Sequence, residues 1–137
     1  MKRIILIFVA LWAGNLAQGQ NQDSFNSQAN QFFATNVDSE GQVDYAGIKA
    51  QPQQLNQLVK LIADTDLETL QADNLKAFEI NAYNLLVIKG IIDRYPVESP
   101  LTIAGFFDGI KYSVGGNSLT LNAVSYTHLT LPTTSRV

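Results

Sequence analysis

The chain has 137 residues and a formal net charge of −3, with no cysteine and a single histidine, His128. That length allows one small domain. The lack of cysteine excludes disulfides, thiolate catalysis and cysteine-ligated metals from the chain. Its acidic balance leaves no electrostatic hold on nucleic acid or anionic lipid.

Both ends carry their own signals. Lys2 and Arg3 precede an uncharged apolar run from Ile4 to Ala13, and Ala17-Gln18-Gly19 offers small residues where a signal peptidase requires them. The order predicts a signal peptide at 1–19, cleavage before Gln20, and a periplasmic or secreted protein. A membrane span needs about 20 predominantly apolar residues, and this run is too short, so no transmembrane anchor is expected in the mature chain. At the other end, Val124 to Thr133 is the one-frame translation of a common transposon-end sequencing adapter. On that reading 123–137 is an artefact, the natural frame ends at Asn122, and His128 is foreign. The tail should then lie extended and loosely packed, with the core confined to Phe32 through Leu121. With Lys2, Arg3 and Arg136 set aside, six basic residues face 12 acidic ones.

Between these ends one domain is expected at 20–122. Phe25, Ala29, Phe32 and Phe33 keep helical spacing, predicting a first helix from about Ser24 to Thr35. A loop around Gly41 follows, then a short strand through Val43 and Tyr45 and a helical turn near Ala46 to Lys49. Pro52 suits the first position of a second helix carrying Leu55, Leu58, Val59 and Ile62. Asp64 and Asp66 end it and cap the next turn, which points Leu67 and Leu70 inward. Asp73 can cap a long helix from Asn74 to Arg94, stopped by Tyr95-Pro96. An apolar turn through Phe106 and Phe107 leads to Lys111–Val114 and Ser118–Leu121, flanking a Gly115-Gly116-Asn117 turn. The class is α+β, mostly helical, with a long central helix and a C-terminal hairpin. The domain is expected to be incomplete, leaving some of Ile88, Ile91, Ile92, Phe106 and Phe107 exposed.

The long helix holds the candidate site residues. At about 100° per residue, Glu79, Tyr83, Gly90, Asp93 and Arg94 share one arc. Ile80, Ala82, Leu85, Val87, Ile88, Ile91 and Ile92 fill a wider apolar arc, and Lys89 can snorkel out of it. Asn81 and Asn84 fall within that apolar arc. A buried unpaired amide costs about 1–3 kcal/mol, so each needs partners, either backbone groups of loops or a site that it lines. Nothing in the pattern chooses between the two.

Other constellations carry less. Asn36, Asp38, Glu40, Gly41, Val43 and Asp44 follow the early positions of a calcium-binding loop, but Gly47 stands where the bidentate Glu belongs. A polar turn is the simpler reading. Asp64, Asp66, Glu68 and Asp73 read as a solvated face with helix caps. Ser113, Ser118 and Thr120 have no histidine partner in the natural chain, and Gly115-Gly116 does not open a helix as a phosphate cradle would. No catalytic residue, metal or cofactor is implied.

Val43-Asp44-Tyr45, Phe78-Glu79-Ile80-Asn81-Ala82-Tyr83-Asn84, Tyr95-Pro96-Val97, Gly105-Phe106-Phe107 and Ser118-Leu119-Thr120-Leu121-Asn122 occur here in one order. Together they resemble the bacterial domain of unknown function 547 (DUF547) family, whose most recognisable phrase is similar to F-W-I-N-A-Y-N. The resemblance runs from about Phe32 to Asn122, and Glu79 stands where the family more often has Trp. It makes Asn81, Tyr83 and Asn84 the candidate binding or structural residues. It also implies that such domains continue into a region with His and Cys, which has prompted comparison with papain-like and transglutaminase-like thiol enzymes. Two functions are therefore expected for the complete protein: an exported thiol-dependent hydrolase or acyl-transfer enzyme, or a non-catalytic exported domain that binds a partner protein or envelope polymer.

Overall fold

A computed structural model describes residues 24–129, with side chains through Tyr126. The expected signal at 1–19, its cleavage before Gln20 and the stretch 130–137 lie outside the described residues. The first helix, α1, covers 24–36. Phe25, Ala29 and Phe32 lie at i, i+4 and i+7, and all three are buried. The core therefore begins seven residues earlier than the expected Phe32.

Helix α1 ends where the Asn36 side-chain amide donates to the Phe32 carbonyl at 2.9 Å. The next loop closes on itself. Asp38 Oδ1 accepts from the Glu40 and Gln42 amides, each at 2.9 Å, and Gly41 turns the chain at φ +82°. The expected strand through Val43 and Tyr45 shrinks to one antiparallel bridge between Val37 and Val43. The reason is Asp44, whose carboxylate accepts from the Gly47 amide at 3.0 Å and starts helix α2, Tyr45–Ala50, at once.

Helix α3, Gln53–Asp64, buries Leu55, Leu58 and Ile62 completely, with Pro52 as its cap instead of its first residue. Asp66 then caps a 3₁₀ turn at Leu67–Thr69. The long helix α4 spans Ala72–Ile92, two residues earlier than expected at both ends. Gln71 occupies its cap without a side-chain bond, so Asp73 sits in the first turn and favours the positive helix end from there. A second 3₁₀ turn, Pro100–Thr102, is capped by Ser99.

Strands β1, Lys111–Val114, and β2, Asn117–Thr120, pair antiparallel, with Tyr112 opposite Leu119 and Val114 opposite Asn117. The turn is two residues long, not three. Gly115 and Gly116 both take positive φ, +57° and +82°, which is what a two-residue hairpin turn needs to match the strands' twist. Asn117 is thereby drawn into β2, and Leu121 is released to open the next helix. Helices and hairpin together form an α+β fold.

Helix α5, Leu121–Leu129, overturns the expectation of an extended, loosely packed tail for Val124 to Leu129, the part of it among the described residues. The Thr120 hydroxyl accepts from the Ala123 amide at 3.1 Å in the manner of a helix cap. Leu121 and Val124, one turn apart, are then both buried at the surface of the core. Whatever its origin, the segment has a cap and an apolar pair at helical spacing. The expected exposed patch is also absent among the described residues: Ile88, Ile91, Ile92 and Phe106 are buried and Phe107 is half-buried. The large apolar side chains exposed here are Ile80, Leu101 and Tyr126.

Candidate functional site

The family-like phrase Phe78 to Asn84 lies in the N-terminal half of α4, and its residues divide sharply. Phe78 and Ala82 are in the core, with the Phe78 ring 4.9 Å from that of Phe25 on α1. Tyr83 is half-buried against the core. Asn81 is half-buried and donates through Nδ2 to Asn26 Oδ1 at 2.9 Å. Asn84 is exposed, as is Ile80 at 41%. The expectation that both asparagines are buried is corrected: one is a tie between α1 and α4, the other faces outward.

The arc expected to be polar is the one most thoroughly covered. Glu79 is only 5% exposed, and Leu86 and Gly90 beside it are buried. What covers the Gly90 end is visible from the glycine itself. A Cβ there would stand 2.5 Å from the Tyr112 hydroxyl and 2.8 Å from Phe106 Cε2, so only hydrogen fits. The hairpin, the Phe106 turn and α5 wrap the flank of α4 that a single-helix wheel assigns to solvent.

Burial has electrostatic consequences. The Glu79 carboxyl is pushed up from 4.5 to about 7 by loss of water. Burial also raises the Tyr112 hydroxyl, which Arg94 draws back down and Asp93 pushes further up. That hydroxyl is buried with no hydrogen-bond partner among the described residues. Lys89 does reach out of the apolar flank, pairing with Asp93 one turn on. Two carbonyls near the C-terminal end of α4 receive cations: Arg94 Nη1 donates to Gly90 O at 3.0 Å, and Lys49 Nζ to Ile92 O at 3.0 Å.

The remaining sequence candidates stay apart from this region's chemistry. The oxygens of the calcium-like loop serve their own backbone, through Asp38 and the Asp44 cap. Asp64, Asp66, Glu68 and Asp73 are exposed, and Asp64 pairs with Lys60 at 3.6 Å. Among the described residues no group of three His, Cys, Asp or Glu side chains could hold a metal ion, and no helix is long and apolar enough to cross a membrane. Sequence reasoning missed Glu79 and Tyr112. A glycine inside an apolar helix signals a close approach, and a tryptophan in the similar family phrase marks position 79 as an inward one; either could have placed that flank.

The class of protein is thus a small α+β domain built around one long, nearly encircled helix. The profile of the family described as "Protein of unknown function, DUF547" matches residues 67–136, just over half of the chain. The chain belongs to the DUF547 family. No curated protein and no solved structure matches it.

Proposed function

We propose that this chain is the recognition part of an exported DUF547 protein, released to the periplasm or the cell exterior by cleavage before Gln20. The outer side of α4 binds a partner or envelope polymer, and the chain itself performs no chemistry. The observation that carries this is the exposure of Asn84 and Ile80 within the family-like phrase, while Asn81 is occupied by Asn26. A polar residue that holds nothing in the fold is available to a ligand. The absence of cysteine removes a thiol nucleophile. Co-sedimentation with insoluble envelope material tests the reading: the wild-type chain is retained and Asn84→Ala is not. Equal retention of both, or of neither, overturns it.

The second reading concerns a longer protein and rests on the family resemblance. There, a His and a Cys encoded after Asn122 make the complete domain a thiol-dependent hydrolase or acyl-transfer enzyme, with this part as its scaffold. Reading the genomic codons that follow Asn122 separates the two. His and Cys in that segment support the enzyme, and their absence leaves the binding domain.

A further inference from the structure

Asparagine is a thermolabile residue, because the backbone nitrogen of the next residue can attack its side-chain carbonyl carbon. Aspartate is open to the same attack. A small next residue helps, and the nitrogen must be free to approach. Among the described residues, Gly or Ser follows at Asn26-Ser27, Asp38-Ser39, Asp108-Gly109 and Asn117-Ser118.

The structure holds three of these pairs back. Asn26 lies in α1, and its Oδ1 accepts from Asn81 Nδ2 at 2.9 Å. Asp38 Oδ1 is occupied by the Glu40 and Gln42 amides. Asp108 is exposed, but the Gly109 amide donates to the Gly105 carbonyl at 2.8 Å. Asn117-Ser118 differs. Both residues are exposed, at the start of β2. The two-residue turn makes Val114 and Asn117 the hydrogen-bonded pair that closes the hairpin. Pairs alternate along an antiparallel ladder, so Ser118, opposite Ser113, makes no ladder bond. Its amide points off the edge of a two-stranded sheet, and no carbonyl among the described residues accepts from it. A hairpin of two strands is marginal alone, so local opening gives Asn117 the rotation that ring closure requires. The other asparagines among the described residues lie in helices. Where those helices begin or end, the next amide is taken: Val37 donates to the Phe33 carbonyl at 2.8 Å, and Ala123 to the Thr120 hydroxyl at 3.1 Å.

We infer that Asn117 is the deamidation site of the folded chain. The Ser118 nitrogen bonds to Asn117 Cγ, the Cγ–Nδ2 bond breaks, and ammonia leaves with the proton that the Ser118 nitrogen gives up. Water then opens the succinimide ring at either carbonyl, giving aspartate or isoaspartate. Both products add a negative charge, and isoaspartate also lengthens the backbone of β2 by one carbon. That disturbs a turn whose Gly115 and Gly116 amides bond the Ile62 and Ala63 carbonyls at the end of α3. The hairpin therefore carries a slow, one-way mark of the molecule's age.

Asn26-Ser27 is the internal control, the same dipeptide held in a helix. The full chain is kept at mildly alkaline pH in heavy-oxygen water, in native buffer and in guanidinium, then digested for mass spectrometry. In native buffer Asn117 should take up heavy oxygen about tenfold faster than Asn26, and in guanidinium the two rates should converge. Equal native rates, a faster Asn26 or Asp108, or an inert Asn117 overturns the inference. A preference that persists in guanidinium overturns it too, because sequence and not the edge of β2 would then select the site. Chains carrying isoaspartate, separated by their added charge, should melt below unmodified ones. An unchanged melting curve overturns the effect on the hairpin's hold.

Discussion

The Gly115 amide donates to the Ile62 carbonyl at 3.0 Å, so the turn of the hairpin closes the end of α3. Gly116 does the same for Ala63 at 3.0 Å. The last carbonyls of a helix have no partner within it, and here a distant turn supplies two amides. The contact is close enough to dictate the residue. A Cβ on Gly115 would stand 2.6 Å from Leu67 Cγ, whereas one on Gly116 would meet nothing within 4 Å.

A matched pair of substitutions follows. Both glycines take positive φ, so alanine at either is strained by about 1–2 kcal/mol. At Gly115 overpacking against Leu67 adds about 1–3 kcal/mol. Chemical denaturation should therefore show Gly115→Ala clearly less stable than Gly116→Ala. Equal losses would show that the turn does not press on Leu67.

Glu79 gives a pH dependence of definite sign. Its folded value of about 7 lies above the ordinary 4.5, so the folded state binds the proton more tightly than the unfolded chain. The stability from the protonated carboxyl is full below about 4.5 and is lost as pH rises toward about 7. The loss should be on the order of 1–3 kcal/mol. Urea midpoints measured across that range should fall for the wild type and stay flatter for Glu79→Gln. Parallel profiles would mean that Glu79 keeps its water.

The two asparagines should now behave differently. Asn81→Ala breaks the bond to Asn26 and should cost about 0.5–1.5 kcal/mol. A double-mutant cycle with Asn26→Ala should return a coupling of similar size. Asn84→Ala should lie within about 0.5 kcal/mol of wild type, as surface changes do. A large loss at Asn84 would place it in the core after all.

That contrast marks where the sequence was legible. The bounds of α1, α3 and α4, the Asp66 cap and the hairpin follow from local signals, and Phe25–Ala29–Phe32 and Leu55–Leu58–Ile62 each point one way. The faces of helix α4 do not. Its apolar residues occupy more than half of the circumference, from Ile91 round to Leu86 at about 100° per residue, so periodicity supplies little direction. Which flank faces solvent was decided by Phe106, Tyr112 and α5, elements distant in sequence. Hence Glu79 was placed outside and Asn84 inside, each the reverse of the structure. The Gly115–Asn117 turn erred by one residue for a local reason, since two adjacent glycines already suffice for a hairpin.

Export makes a prediction independent of the fold. Expression in a Gram-negative host should yield a periplasmic chain beginning at Gln20, because the charged, apolar and small-residue regions occur in the order that the peptidase reads. Intact-mass spectrometry checks it. Periplasmic material that retains Met1 would refute the signal.

The last prediction bears on the segment read as adapter-derived. Val124 is 1% exposed and Tyr126, two residues on, is 77% exposed, so α5 has one face on the core and one in water. If that packing contributes to stability, Val124→Ala removes buried carbon and leaves a small cavity beside α4. The loss should be about 1–3 kcal/mol, from transfer and cavity together. Asn122→Ser, at an exposed position of the same helix, should change the melting curve little. The pair distinguishes a docked helix from a passive appendage, because a passive tail predicts that both substitutions are silent. A silent Val124→Ala would show that the contact of this helix with the core adds nothing to stability. A sensitive one would show that these residues complete the core.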